Sequence, residues 1–148
     1  MTQRRHPRPP LAASRGLTPA RRRALEILTR AKKPVGAYEM IELMCDDAGK
    51  RPAPISVYRA LAYLLEHGLA HRLASQNAFV VCDHEHGARE PVVFLICDAC
   101  HEVREATSPA LARELAALAG HEDFSPGASV VEIAGRCKRC AEAEAERP

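Results

Sequence analysis

The chain has 148 residues, of which 47% are hydrophobic and 4% aromatic, with a formal net charge of +2. That length holds one ordinary domain or two small ones, with a core filled by Leu, Val, Ile and Ala. No apolar run approaches the roughly 18 residues that span a bilayer, and the basic first residues lack the apolar stretch of a signal peptide. A soluble, cytoplasmic protein without a membrane partner is expected, and there closely spaced cysteines bind metal more often than they form disulfides.

The small net charge conceals an asymmetry. Residues 1–75 hold 14 Lys/Arg against 6 Asp/Glu, a balance of +8, and residues 76–148 hold 7 against 13, a balance of −6. A basic half suits a polyanion such as DNA.

Residues 1–16 are rich in Arg and Pro, without acid or periodicity, and read as a flexible basic tail. Thr18-Pro19 opens a first helix: Thr is a good N-cap, and Pro fits the first turn. Leu25, Ile27 and Leu28 supply its apolar stripe, and the helix should stop before Pro34. A second helix is predicted from Ala37 to Asp47 on Met40, Ile41 and Met44. After the loop Lys50–Pro54, a third helix is predicted from an N-cap at Ser56 to Glu66 or His67. Val57, Leu61, Leu64 and Leu65 form its buried face, and Gly68 terminates it. Two strands, Leu69–Leu73 and Ala78–Cys82, flank the polar turn Ala74–Asn77. Three short helices followed by a hairpin make a winged helix-turn-helix.

Residues 83–91 read as a polar loop rich in His and acid. Val92–Ile96 follows as a fully buried strand, and Val103–Glu105 as part of its partner. Ser108-Pro109 starts a helix with Leu111, Leu115 and Leu118 on one face. Ser129–Ile133 is the last strand, and residues 141–148 suit a short frayed helix. The predicted class is α+β. Residues 17–83 form a winged-helix DNA-binding domain, and residues 84–148 a small α/β domain that carries metal ligands.

In helix-turn-helix proteins the start of the last helix enters the major groove. Arg59 can donate two parallel bonds to guanine. Tyr58 and Ser56 can contact phosphate or a thymine methyl, and Arg51 and Arg72 are placed for backbone contacts.

Two Cys-x-x-Cys pairs, Cys97/Cys100 and Cys137/Cys140, supply four thiolates from two tight turns, the closed tetrahedral shell of structural Zn²⁺. A redox pair explains one such motif but not two. A zinc enzyme would need an open position for water, which four cysteines do not leave. Structural zinc contributes roughly 10–16 kcal/mol in small peptide sites, which suits so small a domain. A second, mixed cluster of His71, Cys82, His84, His86, Glu90 and Glu105 surrounds the hairpin and the first Cys pair. Its thiolate argues for Zn²⁺ over Mg²⁺, Ca²⁺ or Mn²⁺. His121 is a weaker candidate for a third site, and Cys45 reads as a small buried helix residue.

The segments Leu17-Thr18, Ser56-Val57-Tyr58-Arg59-Ala60-Leu61, Gly68-Leu69-Ala70-His71-Arg72, Phe79–Cys82, Phe94–Cys100 and Glu132–Cys140 together resemble the ferric uptake regulator family, and within it the zinc uptake regulators. The resemblance covers about residues 17–140. It implies a homodimeric repressor, not an enzyme and without a small-molecule substrate, whose winged helix binds a double-stranded, AT-rich inverted-repeat operator. It implies a C-terminal dimerisation domain with one structural and at least one regulatory Zn²⁺ per chain. By the family pattern Cys97, Cys100, Cys137 and Cys140 match the structural ligands, and His71, Cys82 and Glu105 match three regulatory ones. His86 is the favoured fourth ligand, with Glu90 and His84 as alternates. An iron- or peroxide-responsive member of the family is the nearest rival reading, and a zinc-ribbon interaction module a more distant one.

Overall fold

The computed structural model describes residues 16–31, 33–82 and 90–146. The basic tail up to residue 15, and the part of the polar loop with His84 and His86, lie outside the described residues. The chain divides into two compact units, residues 1–84 and 85–148.

The first unit begins with α1, Pro19–Arg30, opened by Thr18, whose side chain accepts a hydrogen bond from the Arg21 N–H. The strand β1, Val35–Gly36, leads directly into α2, Ala37–Leu43. The third helix α3 spans Pro54–Glu66, and the wing strands β2 and β3 span Ala70–Leu73 and Ala78–Val81. The sheet order is β1-β3-β2, all antiparallel, with Val35 opposite Phe79 and Arg72 also opposite Phe79 from the other side. The core draws Ala24, Leu25 and Leu28 from α1, Met40 and Ile41 from α2, and Val57, Ala60, Leu61 and Leu64 from α3, with Val35 and Phe79 from the sheet. These positions follow the helical spacing of three and four that places side chains on one face.

Two helix boundaries differ from the sequence expectation. The helix α2 stops at Leu43 rather than running to Asp47. The Cys45 N–H turns back to the Glu42 carbonyl, and the Asp46 carboxylate accepts the N–H groups of Ala48 and Lys50. This local side-chain bonding competes with helix continuation, and it leaves Cys45 half-buried beyond the helix end. At the other end of that loop, α3 starts at Pro54 with Ala53 as its cap, so Ser56 lies inside the first turn. Proline at the first helical position costs no hydrogen bond. The end of α3 matches the expectation: Gly68 takes φ +65°. Its N–H reaches the Leu65 carbonyl, and the Leu69 N–H reaches that of Leu64, the paired closure that favours glycine just past a helix.

The second unit is a three-stranded sheet with two helices. Its strands are β4, Val92–Cys97, β5, Val103–Ala106, and β6, Val130–Gly135, in the order β5-β4-β6. The pair β4–β5 is antiparallel and the pair β4–β6 parallel. The helix α4, Pro109–His121, crosses between them, capped by the Ser108 side chain, and α5, Lys138–Ala145, follows β6. The central strand is not fully buried as expected, because Leu95 is 43% exposed. The apolar face of α4 is only partly covered among the described residues: Leu111 and Leu115 are half-buried, and Leu118 is 60% exposed. The last helix begins three residues earlier than expected, since Cys137 itself is its cap. No described helix is long and apolar enough to cross a membrane.

Candidate metal centre and nucleic-acid interface

Strand pairing brings the four cysteines of the second unit together. In the parallel β4–β6 pair, Cys97 ends its strand opposite Gly135. The chain leaving β4 makes a tight turn into β5, in which the Cys97 N–H meets the Glu102 carbonyl and the His101 N–H meets the Cys97 carbonyl. His101 sits there at φ +59°. The Asp98 N–H bonds the Gly135 carbonyl, which locks this turn to the end of β6. Two residues later Cys137 caps α5, and Cys140 follows in its first turn. The Sγ atoms of Cys97, Cys100, Cys137 and Cys140 consequently lie within 4.8 Å of one another.

The donor set fits zinc. Four sulfurs held about 2.3 Å from a tetrahedral centre stand about 3.8 Å apart, and the Sγ atoms of Cys100 and Cys137 are separated by 3.8 Å. That distance is far beyond the roughly 2.05 Å of a disulfide, and all described cysteines are free. The site also favours thiolate. The Cys137 N–H donates to the Cys97 sulfur at 3.4 Å. This bond, with those from the N–H groups of Cys100 and Ala99, lowers the Cys97 pKa from 9.0 to about 6. Hydrogen bonds that favour the charged form act in this direction. The Arg139 guanidinium donates to the Cys100 sulfur and its own pKa is raised by that contact first. The fourth thiol behaves oppositely: Cys140, hydrogen-bonded to Cys137 and then Cys100, is pushed up to about 12. Four thiolates this close repel one another until a cation binds among them.

The wing of the first unit presents a second pair of donors. His71 lies on β2 across from Val80, and Cys82 follows β3 with its N–H on the Leu69 carbonyl. Their ligand atoms are within 4.8 Å of each other, with Cys82 buried. In the second unit, Glu105 lies on β5 opposite Phe94, and Glu90 lies two residues before β4. Both are half-buried. His121 is the exposed last residue of α4 and belongs to no group of ligands among the described residues.

The start of α3 carries Ile55, Ser56, Tyr58 and Arg59 on its exposed side, opposite the buried Val57, Ala60 and Leu61. Polar and apolar groups that protrude from a helix start are what base edges and thymine methyls require. Arg51 precedes this helix and pairs with Glu42 at 3.0 Å. Being exposed, that ion pair is weak and exchangeable. Tyr38, 82% exposed in the first turn of α2, was not singled out by sequence reasoning. Spacing gives no sign of this exposure, because Tyr38 stands three residues before the buried Ile41, at helical spacing from it. Arg72 lies on the wing and bonds the Asn77 side-chain oxygen at 2.7 Å.

No protein-family model matches the chain. It is 32% identical over 131 residues to the zinc uptake regulation protein of Escherichia coli (strain K12), covering 88% of this chain and 76% of that protein. The crystal structure of holo XcZur shares 40% identity and superposes with a TM-score of 0.77, covering 88% of this chain and 91% of that one. A zinc uptake regulator complexed with zinc and DNA shares 30% identity with a TM-score of 0.81, covering 90% of each chain. With this similarity spanning both units, and with the four-sulfur cluster and the exposed α3 start in place, the chain belongs to the ferric uptake regulator family, in its zinc uptake regulator branch.

Proposed function

We propose that this chain is a zinc-responsive, DNA-binding repressor of zinc uptake. The observation that carries the reading is the similarity at 30% identity, over 90% of both chains, to a zinc uptake regulator complexed with zinc and DNA. The exposed residues at the start of α3 support it.

Zinc, when bound, supplies a tetrahedral cross-link between protein donors. Cys97, Cys100, Cys137 and Cys140 hold the structural ion and fasten the β4–β5 turn to the end of β6. His71 and Cys82 supply an imidazole and a thiolate from the wing for the regulatory site. Glu105 supplies a carboxylate, and His86 the fourth ligand, with Glu90 and His84 as alternates. This thiolate-containing set favours Zn²⁺ over harder divalent cations. Filling this set couples zinc supply to the placement of α3. By linkage, DNA then tightens regulatory zinc as zinc tightens DNA.

Two copies form the working unit. The apolar residues Leu118, Val130 and Ile133 of the second unit are exposed in a single chain, and a second copy covering them makes the dimer. A two-fold dimer presents two α3 helices to an AT-rich inverted repeat. There Arg59 reads bases, Ser56 and Tyr58 contact the flanking groups, and Arg51 and Arg72 contact phosphates. The repressor acts in the cytoplasm, on genes for zinc uptake.

Selection of duplexes from a random pool by the zinc-loaded protein tests this reading. An AT-rich inverted repeat is expected to emerge, and Arg59→Ala is expected to weaken binding to it by about 1–3 kcal/mol while sparing non-specific binding. Selection of no sequence, or an Arg59→Ala protein that binds the selected duplex as wild type does, would refute it.

A further inference from the structure

The wing hairpin, residues 70–81, contains one formal charge, that of Arg72. The guanidinium is exposed and is held by the Asn77 side-chain oxygen at 2.7 Å. Other arginines of the chain are held differently: Arg51 by the Glu42 carboxylate at 3.0 Å and Arg104 by that of Glu102 at 2.9 Å. A carboxylate partner competes with a phosphate for the arginine, even where the exposed pair is weak. An amide oxygen fixes it and leaves the full positive charge directed outward.

Asn77 is suited to this task by its backbone as well. It sits at φ +47°, closing the turn with its N–H toward the Ala74 carbonyl at 3.4 Å. Glycine and asparagine are the residues that enter this left-handed region most readily. Glycine would complete the turn but offer no oxygen. Aspartate would offer one with a negative charge. Asparagine meets both needs.

We infer that Asn77 is a positioning residue: it holds the Arg72 guanidinium, charged and pre-oriented at the wing tip, for a phosphate of the DNA duplex. The inference rests on the DNA-binding reading above and adds the device that makes the wing contact effective. An exposed arginine loses rotamer freedom on meeting a phosphate, and a side chain already tethered loses less. Ser75 and Gln76, exposed in the same turn, are uncharged, so among residues 70–81 the formal charge is that of Arg72.

The test is a salt series of duplex binding by the full-length, zinc-loaded protein, on the duplex that it selects from a random pool. Arg72→Gln is expected to reduce the slope of log K against log salt by about 0.9 and to weaken binding about fivefold at about 0.15 M salt, the loss of one phosphate contact. Asn77→Asp, which keeps the tether but makes it a competing carboxylate, is expected to lower the slope similarly. Asn77→Gly keeps the turn and the charge, so the slope stays while affinity falls about threefold. In an Arg72→Gln background, Asn77→Gly is expected to change nothing. An equal loss from Asn77→Gly in both backgrounds would mean that Asn77 serves only the turn, and would overturn the inference. So would an unchanged slope in Arg72→Gln with specific binding intact, an outcome that leaves the DNA-binding reading standing. A wild-type protein that selects no duplex would remove both.

Discussion

Cys97 and Cys140 share one sulfur cluster yet hold their protons at opposite ends of the thiol range. Cys97 is lowered from 9.0 to about 6 by N–H groups, that of Cys137 first, and Cys140 is pushed up to about 12 chiefly by its bond to Cys137. For the metal-free protein the sign follows from linkage. The depressed Cys97 contributes stability above the unfolded thiol value and loses it as pH falls toward 6. The raised Cys140 contributes below the unfolded value and loses it as pH climbs toward 12. The pH dependence of alkylation of the zinc-free protein, mapped by mass spectrometry, is therefore expected to show Cys97 reaching its full rate at lower pH than Cys140, whatever their relative accessibility. The same pH dependence at both sites would contradict the hydrogen-bond pattern. The four cysteines were legible in the sequence because two short motifs carry their own turn geometry. The partner of Arg72 was not. It depends on the hairpin register and on the left-handed turn at Asn77, which a one-residue slip would abolish.

Among elements, α3 shows what local pattern can and cannot reveal. Its buried face and its closure at Gly68 follow from spacing and from glycine chemistry, and both appear in the structure. Its start does not, because serine at a plausible cap position competes with Pro54 two residues earlier. The cap is Ala53, whose side chain forms no capping bond. Ser56→Ala is accordingly expected to change folding stability by no more than a few tenths of a kcal/mol, against about 1 kcal/mol for a lost N-cap. A urea melt separates these outcomes. The two-residue strand β1 escaped notice because it is too short for alternation to register, and it exists through its pairing with β3. The apolar spacing predicts a longer α2 because Met44 continues it past Leu43, where the helix stops and Asp46 then holds the turn.

At the scale of the molecule, the basic first half and the acidic second half correspond to two compact units with different work. The first unit encloses its own core. The second leaves apolar side chains exposed on α4 and β6, including Leu118 at 60%. Large apolar side chains exposed in this way suit a surface for association. Under the dimer proposed above, Leu118→Glu is expected to shift sedimentation at micromolar concentration from dimer to monomer, with metal content unchanged. A dimer unchanged by this substitution would place the contact elsewhere. The apolar helix is legible in the sequence, but that Leu118 stays exposed among the described residues required the structure.

The most direct test is operator affinity measured against buffered free zinc, in wild type and in Cys82→Ser, with both proteins retaining the zinc held by Cys97, Cys100, Cys137 and Cys140. Wild type is expected to bind specifically only as zinc rises. Cys82→Ser is expected to remain at non-specific affinity over the same range. Specific binding by wild type that ignores free zinc, or a zinc response in Cys82→Ser equal to that of wild type, would contradict regulation through the wing thiolate.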